Sequence, residues 1–147
     1  MSNFVYSKSG LAFTERFESC RLTAYQDIRG IWTIGWGHTG PEVVEGLVWT
    51  QEQADAQALA DTDRFQTNVN RVVTYPINQN EFDALVDFSF NDGNAALDGS
   101  TLLKDVNEGN LDGAAAQFQL WDHAAGKVVA GLLRRRLAEA AEFTNGN

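Results

Sequence analysis

The chain has 147 residues, enough for one domain with its own core, and 44% hydrophobic residues with only two prolines describe an ordinary globule. A net charge of −9 argues against a nucleic-acid partner, because phosphate affinity rests on clustered Lys and Arg. Cys20 is the only cysteine, which excludes an intramolecular disulfide and a cysteine-based zinc site.

The amino terminus, MSNFVYSKSGLAFTERF, lacks the basic flank, apolar run and small-residue cleavage site of a signal peptide. Nowhere is there an apolar run long enough to span a membrane. The expectation is a protein that accumulates in a cytoplasm and inserts into no membrane. To act elsewhere it needs another protein to let it out.

In chain order, Phe13, Phe17 and Cys20 share one face and predict a helix over about Ser9 to Cys20. From Leu22 to Trp36 the chain turns to Thr, Tyr, Ile and Trp, broken at Arg29-Gly30, which reads as a hairpin. Ile31, Thr33 and Gly35 alternate there with Trp32, Ile34 and Trp36. Thr50-Gln51-Glu52-Gln53 has the form of a capping box. The helix it opens has Ala54, Ala58, Phe65, Val69 and Val72 as its apolar stripe and stops at Tyr75-Pro76. A second box, Asn78 to Glu81, opens a helix with Phe82, Leu85, Val86 and Ser89 on one side, ended by Asn91-Asp92-Gly93. Shorter helices follow over 100–108 and 111–121, the latter aligning Leu111, Ala115 and Phe118. The last helix covers 131–143 through Leu133, Leu137 and Ala141.

The predicted architecture is α+β and mostly helical, a single domain with two lobes. A small β-hairpin lobe occupies about 22–75, and a larger helical lobe takes the first helix and 76–147. A cleft between lobes is where a ligand is expected.

Glu18, Asp27 and Thr33 are the candidate site. Glu18 ends the first helix. With a turn centred near Gly30, Asp27 and Thr33 are expected opposite each other on two strands, their Cβ atoms about 4.5–5.5 Å apart. Two carboxyl groups across a cleft are what glycoside hydrolysis requires: one protonated to release the sugar oxygen, one ionised to attack or to activate water. A setting beside aromatic side chains favours the protonated carboxyl at Glu18, whereas a turn mouth with a hydroxyl neighbour keeps Asp27 ionised. Singly, each residue also has a structural explanation: a solvated helix-face Glu, an Asp in turn chemistry, a Thr with β-propensity, and at His38 a partly buried, satisfied imidazole.

Taken together, Glu18, then Leu22, Tyr25 and Asp27, then Gly30, then Thr33-Ile34-Gly35-Trp36-Gly37-His38 resemble the catalytic segment of the phage-type lysozymes. Gln79 to Val86, Phe90 to Gly93, Ser100 to Leu103, Trp121 and Gly131 to Glu139 extend the likeness over nearly the whole chain. The resemblance implies a lysozyme-like fold and a muramidase cleaving the β-1,4 bond between N-acetylmuramic acid and N-acetylglucosamine in bacterial peptidoglycan. It implies Glu18 as general acid, Asp27 as second carboxylate and Thr33 as the hydroxyl that places a water, with inversion of configuration. It implies no cofactor and no metal, a structural role for His38, a monomer, and a separate holin-type pore that admits the enzyme to the wall at host lysis.

Two alternatives stand beside this one. A lytic transglycosylase cuts the same bond without water and has no need of Asp27 and Thr33. A wall-binding domain on a retired scaffold has no need of Glu18 or Asp27. The acidic charge departs from the basic character of many relatives, and Arg134-Arg135-Arg136 is either a compensating basic patch or a helix face packed against carboxylates.

Overall fold

The computed structural model describes residues 3–124 and 127–145. They form two compact units, one of Leu11–Asp63 and one that takes the amino-terminal stretch to Gly10 together with Arg64 onward.

Helix α1 (Lys8–Phe17) starts in the larger unit and enters the smaller one at Leu11, followed there by strands β1 (Arg21–Gln26), β2 (Trp32–Gly35) and β3 (His38–Thr39), then helix α2 (Gln51–Asp61). The strands form an antiparallel sheet in the order β1-β2-β3. The free edge of β1 is covered by the 47–49 segment, with Trp49 N–H bonded to Leu22 O at 2.8 Å and Ala24 N–H to Leu47 O at 2.9 Å. Thr50 begins α2 with the expected capping box, its side chain accepting from Gln53 N–H while the Gln53 side chain caps Thr50 N–H.

The expected long helix is two. It breaks at Thr62, after which α3 (Asp63–Val72) begins. Thr62 is fully buried within the stripe of Ala54, Ala58, Phe65 and Val69, and its hydroxyl donates to Leu59 O at 2.6 Å. A buried hydroxyl bonding back to its own helix competes with the helical ladder, which explains the break. After it, Val73 is buried (7% exposed) and Val72 is only half-buried.

The division between units therefore falls at Asp63/Arg64, not near residue 75. Side-chain amides account for this. Gln66 and Asn70 of α3 accept from Tyr6 N–H and Phe4 N–H, both at 2.9 Å. Asn107 likewise accepts from Thr74 N–H at 2.8 Å and donates to Val72 O at 3.0 Å.

The larger unit centres on α4 (Gln79–Asp92), buried continuously from Glu81 to Ser89. Around it come α5 (Asn94–Asp98), α6 (Thr101–Asn107), α7 (Leu111–Gln117), a 3-10 turn at Phe118–Leu120, the short strands β4 (His123–Ala124) and β5 (Lys127–Val128), and α8 (Ala130–Thr144). The expected cap at Asn78 is present, and Ser100 caps α6 in the same way, its side chain accepting from Leu103 N–H. Ser7 bonds Asp83 of α4 through its hydroxyl, and Gly10 N–H donates back to Ser7 Oγ at 2.8 Å, which seats the first turn of α1. A Cβ at Gly10 would lie 2.6 Å from the Tyr6 ring and 2.8 Å from the Asp83 carboxyl carbon, so only glycine permits this approach.

The expected face of α8 is corrected. Leu137 is 46% exposed and Ala141 is exposed, whereas Arg135, Arg136, Glu139 and Phe143 are buried. Arg135 clamps Asp87 of α4 with two bonds of 3.0 and 2.8 Å, and Arg136 pairs with Asp92 and with Glu139 at 2.8 Å. The arginine triplet is thus a helix face set against carboxylates, with Arg134 alone exposed. Burial, then the adjacent Asp87 carboxylate, pushes the Glu139 carboxyl well up against the pull of both arginines. Two guanidinium ions facing three acids approach neutrality when Glu139 holds its proton.

Removing one partner of such a pair strands the other charge in the core. Arg135→Ala is expected to cost about 3–5 kcal/mol of unfolding free energy, measured by urea denaturation. Leu137→Ala is expected to cost about 0.5 kcal/mol or less; a reversed order would refute this assignment of the buried face.

Candidate active site

Glu18 follows α1 directly, with its N–H reaching back to Glu15 O at 3.3 Å, and its side chain is half-buried. It approaches the turn between β2 and β3. A Cβ built on Gly37 would lie 4.0 Å from Glu18 Oε2, and Gly37 has φ +91°, a conformation that side chains rarely adopt. The positive φ favours glycine at this position beside the carboxylate.

Asp27 lies one residue past β1, and the register differs from expectation. Thr33 pairs with Tyr25, and Asp27 N–H bonds Ile31 O at 2.9 Å. Asp27 and Thr33 are therefore diagonal neighbours rather than opposite partners, separated by about 7–8 Å between Cα atoms in regular sheet geometry. The hairpin centres on Arg29 rather than Gly30, and that shift of one residue moves Thr33 from opposite Asp27 to opposite Tyr25.

What brings the two side chains together is the backbone of Ile31. Its N–H donates to Asp27 Oδ1 at 2.9 Å, and its carbonyl accepts from Thr33 Oγ1 at 2.9 Å. Arg29 N–H donates to the same Asp27 oxygen at 2.8 Å. The Ile31 and Arg29 N–H bonds, helped by the Arg29 charge, outweigh desolvation and hold the Asp27 carboxyl below its usual value. The expectation of an ionised Asp27 thus has a physical cause, and that cause is the main chain rather than the Thr33 hydroxyl.

Thr33 is 4% exposed. With its proton directed to Ile31 O, its oxygen is left to accept, so toward a water it acts as an acceptor.

A further group was missed by the sequence reading. Trp36 Nε1–H donates to Asp55 Oδ1 at 2.8 Å, and Gln51 Nε2–H donates to the same oxygen at 2.9 Å. Burial, with the Asp55 charge added, raises the carboxyl of Glu15, one turn before Glu18. Nothing in the spacing of Glu15 and Asp55 pointed to their proximity. Among the described residues no group of His, Cys, Asp and Glu has the arrangement to hold a metal ion.

The model of the phage lysozyme family matches residues 15–139, a span that takes in every residue just described. The chain belongs to the phage lysozyme family. It is 42% identical over 141 residues to an endolysin of Acyrthosiphon pisum secondary endosymbiont phage 1, covering 93% of this chain and 96% of the relative. It is 39% identical over 142 residues to an endolysin of Bacillus phage PZA, where 95% of this chain spans only 55% of the relative. Among solved structures, the muramidase domain of SpmX from Asticcacaulis excentricus, recorded as Asticaccaulis excentricus, superposes with a TM-score of 0.87 at 39% identity, covering 95% of this chain and 97% of that one.

His38, the last residue of the family motif, is a structural clasp. Its Nδ1 lies 2.8 Å from Asp61 Oδ2 of α2 and its Nε2 2.6 Å from Glu42 Oε1, with the Trp49 ring 5.6 Å away. Burial disfavours its charge, but the bonds and charges of Glu42 and Asp61 prevail and raise the imidazole above its ordinary value. A raised folded-state value gives stability that is complete below the unfolded value, about 6.5, and lost as pH rises through the folded one. Denaturant melts across pH are expected to show wild type exceeding His38→Asn most at acid pH, with the gap closing under alkaline conditions. A gap that widens with pH would contradict the clasp.

Proposed function

We propose that this chain is the catalytic domain of an endolysin that hydrolyses the β-1,4 bond between N-acetylmuramic acid and N-acetylglucosamine in bacterial peptidoglycan. Membership of the phage lysozyme family supports the substrate class. The observation that carries the reaction is the main chain of Ile31, whose N–H and C=O hold a carboxylate and a hydroxyl acceptor at the end of one hairpin.

Glu18 is the general acid and protonates the leaving sugar oxygen. Asp27, held ionised by its own turn, accepts one proton of a water, and Thr33 Oγ accepts the other. A water that donates both its hydrogens presents a lone pair to the anomeric carbon. Asp27 takes up its proton as the new C–O bond forms and Glu18 releases its own as the old bond breaks, so charge is conserved. Attack by water opposite to the leaving group inverts the anomeric centre. No metal or cofactor takes part.

The paired acceptors favour hydrolysis over a transglycosylase, in which the muramic acid's own hydroxyl attacks and no water needs placing. The enzyme works as a monomer. It stays in the host cytoplasm until a holin-type pore admits it to the wall. Consistent with that route, no helix among the described residues is long and apolar enough to cross a membrane.

Mass spectrometry of muropeptides from digested peptidoglycan tests the reading. Products with a reducing muramic acid, one water heavier than the anhydro form, are expected, and anhydro products alone would refute hydrolysis. Glu18→Gln is expected to lower turnover by about 10²–10⁴-fold while the protein still binds the wall.

The acceptor role of Thr33 predicts that Thr33→Ser retains most activity, because the hydroxyl can still donate to Ile31 O. Thr33→Val is expected to lose about tenfold or more, with kcat falling rather than KM rising.

A further inference from the structure

The hairpin tip beside Asp27 carries side chains that neither the fold nor the cleavage step uses. Ile28 is 100% exposed, Ile31 is 41% exposed, and Arg29 between them is exposed as well. A single exposed isoleucine is ordinary. Two of them bracketing a cation next to a site carboxylate form a small surface with its own chemistry.

That surface is also rigid. Asp27 Oδ1 takes two main-chain N–H bonds from the tip, Gly30 N–H donates to Asp27 O at 2.9 Å, and Gln26 Nε2–H bonds Gly30 O at 3.3 Å. Ordering on binding therefore costs little at the tip.

Charge decides what such a surface can bind. A protein of net charge −9 repels an anionic substrate unless a cation stands where the substrate arrives. The arginine whose charge is felt at Asp27 is Arg29. Its planar guanidinium matches a carboxylate with two parallel bonds.

We infer that the Ile28–Arg29–Ile31 tip recognises the acidic peptide stem carried by the muramic acid, Arg29 pairing with a stem carboxylate while the two isoleucines cover its aliphatic parts. The inference rests on the muramidase reading, in which the sugar bearing the stem adjoins the bond being cut. The stem leaves that sugar through its lactyl ether and passes the groups that flank the bond.

The test uses purified peptidoglycan free of phosphate-bearing wall polymers, in native form and with its stem carboxyls converted to amides. Phosphate polymers are thereby removed as a source of the anion. On native material Arg29→Gln is expected to lower kcat/KM about five- to tenfold, mainly through KM. On amidated material the ratio of variant to wild-type kcat/KM is expected to return close to one. Arg134→Ala, which removes an exposed arginine of the other unit, controls for net charge and is expected to leave the two substrates equally ranked.

A loss of equal size on both substrates means that Arg29 acts through Asp27, and no loss on either means that the tip is idle. Each outcome overturns the inference. Sedimentation binding of Glu18→Gln, with and without Arg29→Gln, separates recognition from chemistry. Weaker binding of the double variant to native but not amidated peptidoglycan supports the tip's role even where product analysis refutes hydrolysis. Equal binding of both forms refutes the tip's role even where hydrolysis is established.

Discussion

The site depends on one constraint: the carboxylate of Asp27 is bonded by the main chain of its own turn. An aspartate that accepts from residues two and four positions on makes a compact side-chain-capped turn, and here that turn connects β1 to β2. Its catalytic suitability follows from the same bonds. Hydrogen bonds to the ionised form favour it, so the carboxylate remains ready to accept a proton. Turn chemistry and acid–base chemistry, two readings of the same residue, describe one arrangement. Losing it would alter the hairpin as well as the reaction, which makes Asp27→Asn a less clean probe than Glu18→Gln.

Ile31 extends the constraint. The Ile31 N–H donates to Asp27 and the Ile31 C=O, in the next peptide unit, accepts from Thr33, so both side chains are tied to the main chain of one residue rather than to long flexible groups. Placing a reacting water requires tolerances of a few tenths of an ångström. A backbone bridge meets them with little entropy left to lose. The carboxylate on the helix side, Glu18, stands beside Gly37, whose φ of +91° favours glycine there.

Much of this was legible in the residues. Both capping boxes, at Thr50 and Asn78, operate as their sequences indicate, because a cap is a local bond between residues three apart. The hairpin and the helical majority were legible for the same reason. The failure in α8 is nonlocal. Leu133, Leu137 and Ala141 have helical spacing, yet the buried face of α8 is set by where Asp87 and Asp92 of α4 stand. Two guanidinium groups with carboxylate partners outrank three apolar side chains, and no periodicity in α8 alone can reveal that. Thr62 misled in the opposite way: it lies on the expected stripe and is buried, but its hydroxyl ends the helix that the stripe implied. The strand register failed because Asp27 draws Ile31 and Arg29 inward, a tertiary detail of a four-residue turn.

The net charge of −9 is easier to understand from these contacts than from the total. Several carboxylates serve as acceptors for neutral donors inside the protein: Asp83 for Ser7, Asp55 for Trp36 and Gln51, Asp98 for Asn68, Glu81 for Asn78, and Asp27 for its turn. An ionised acceptor makes a stronger bond than a neutral one, and each such bond adds a negative charge without adding a cation. Acidity of this kind is a by-product of how helices, caps and turns are tied. Salt screens it within about 8–10 Å, so its repulsion of an anion is felt close to the surface rather than at long range. Arg135 and Arg136 of the larger unit are committed to carboxylates of α4, so on the proposed function attraction to an anionic wall is arranged locally, within contact distance of the bond to be cut.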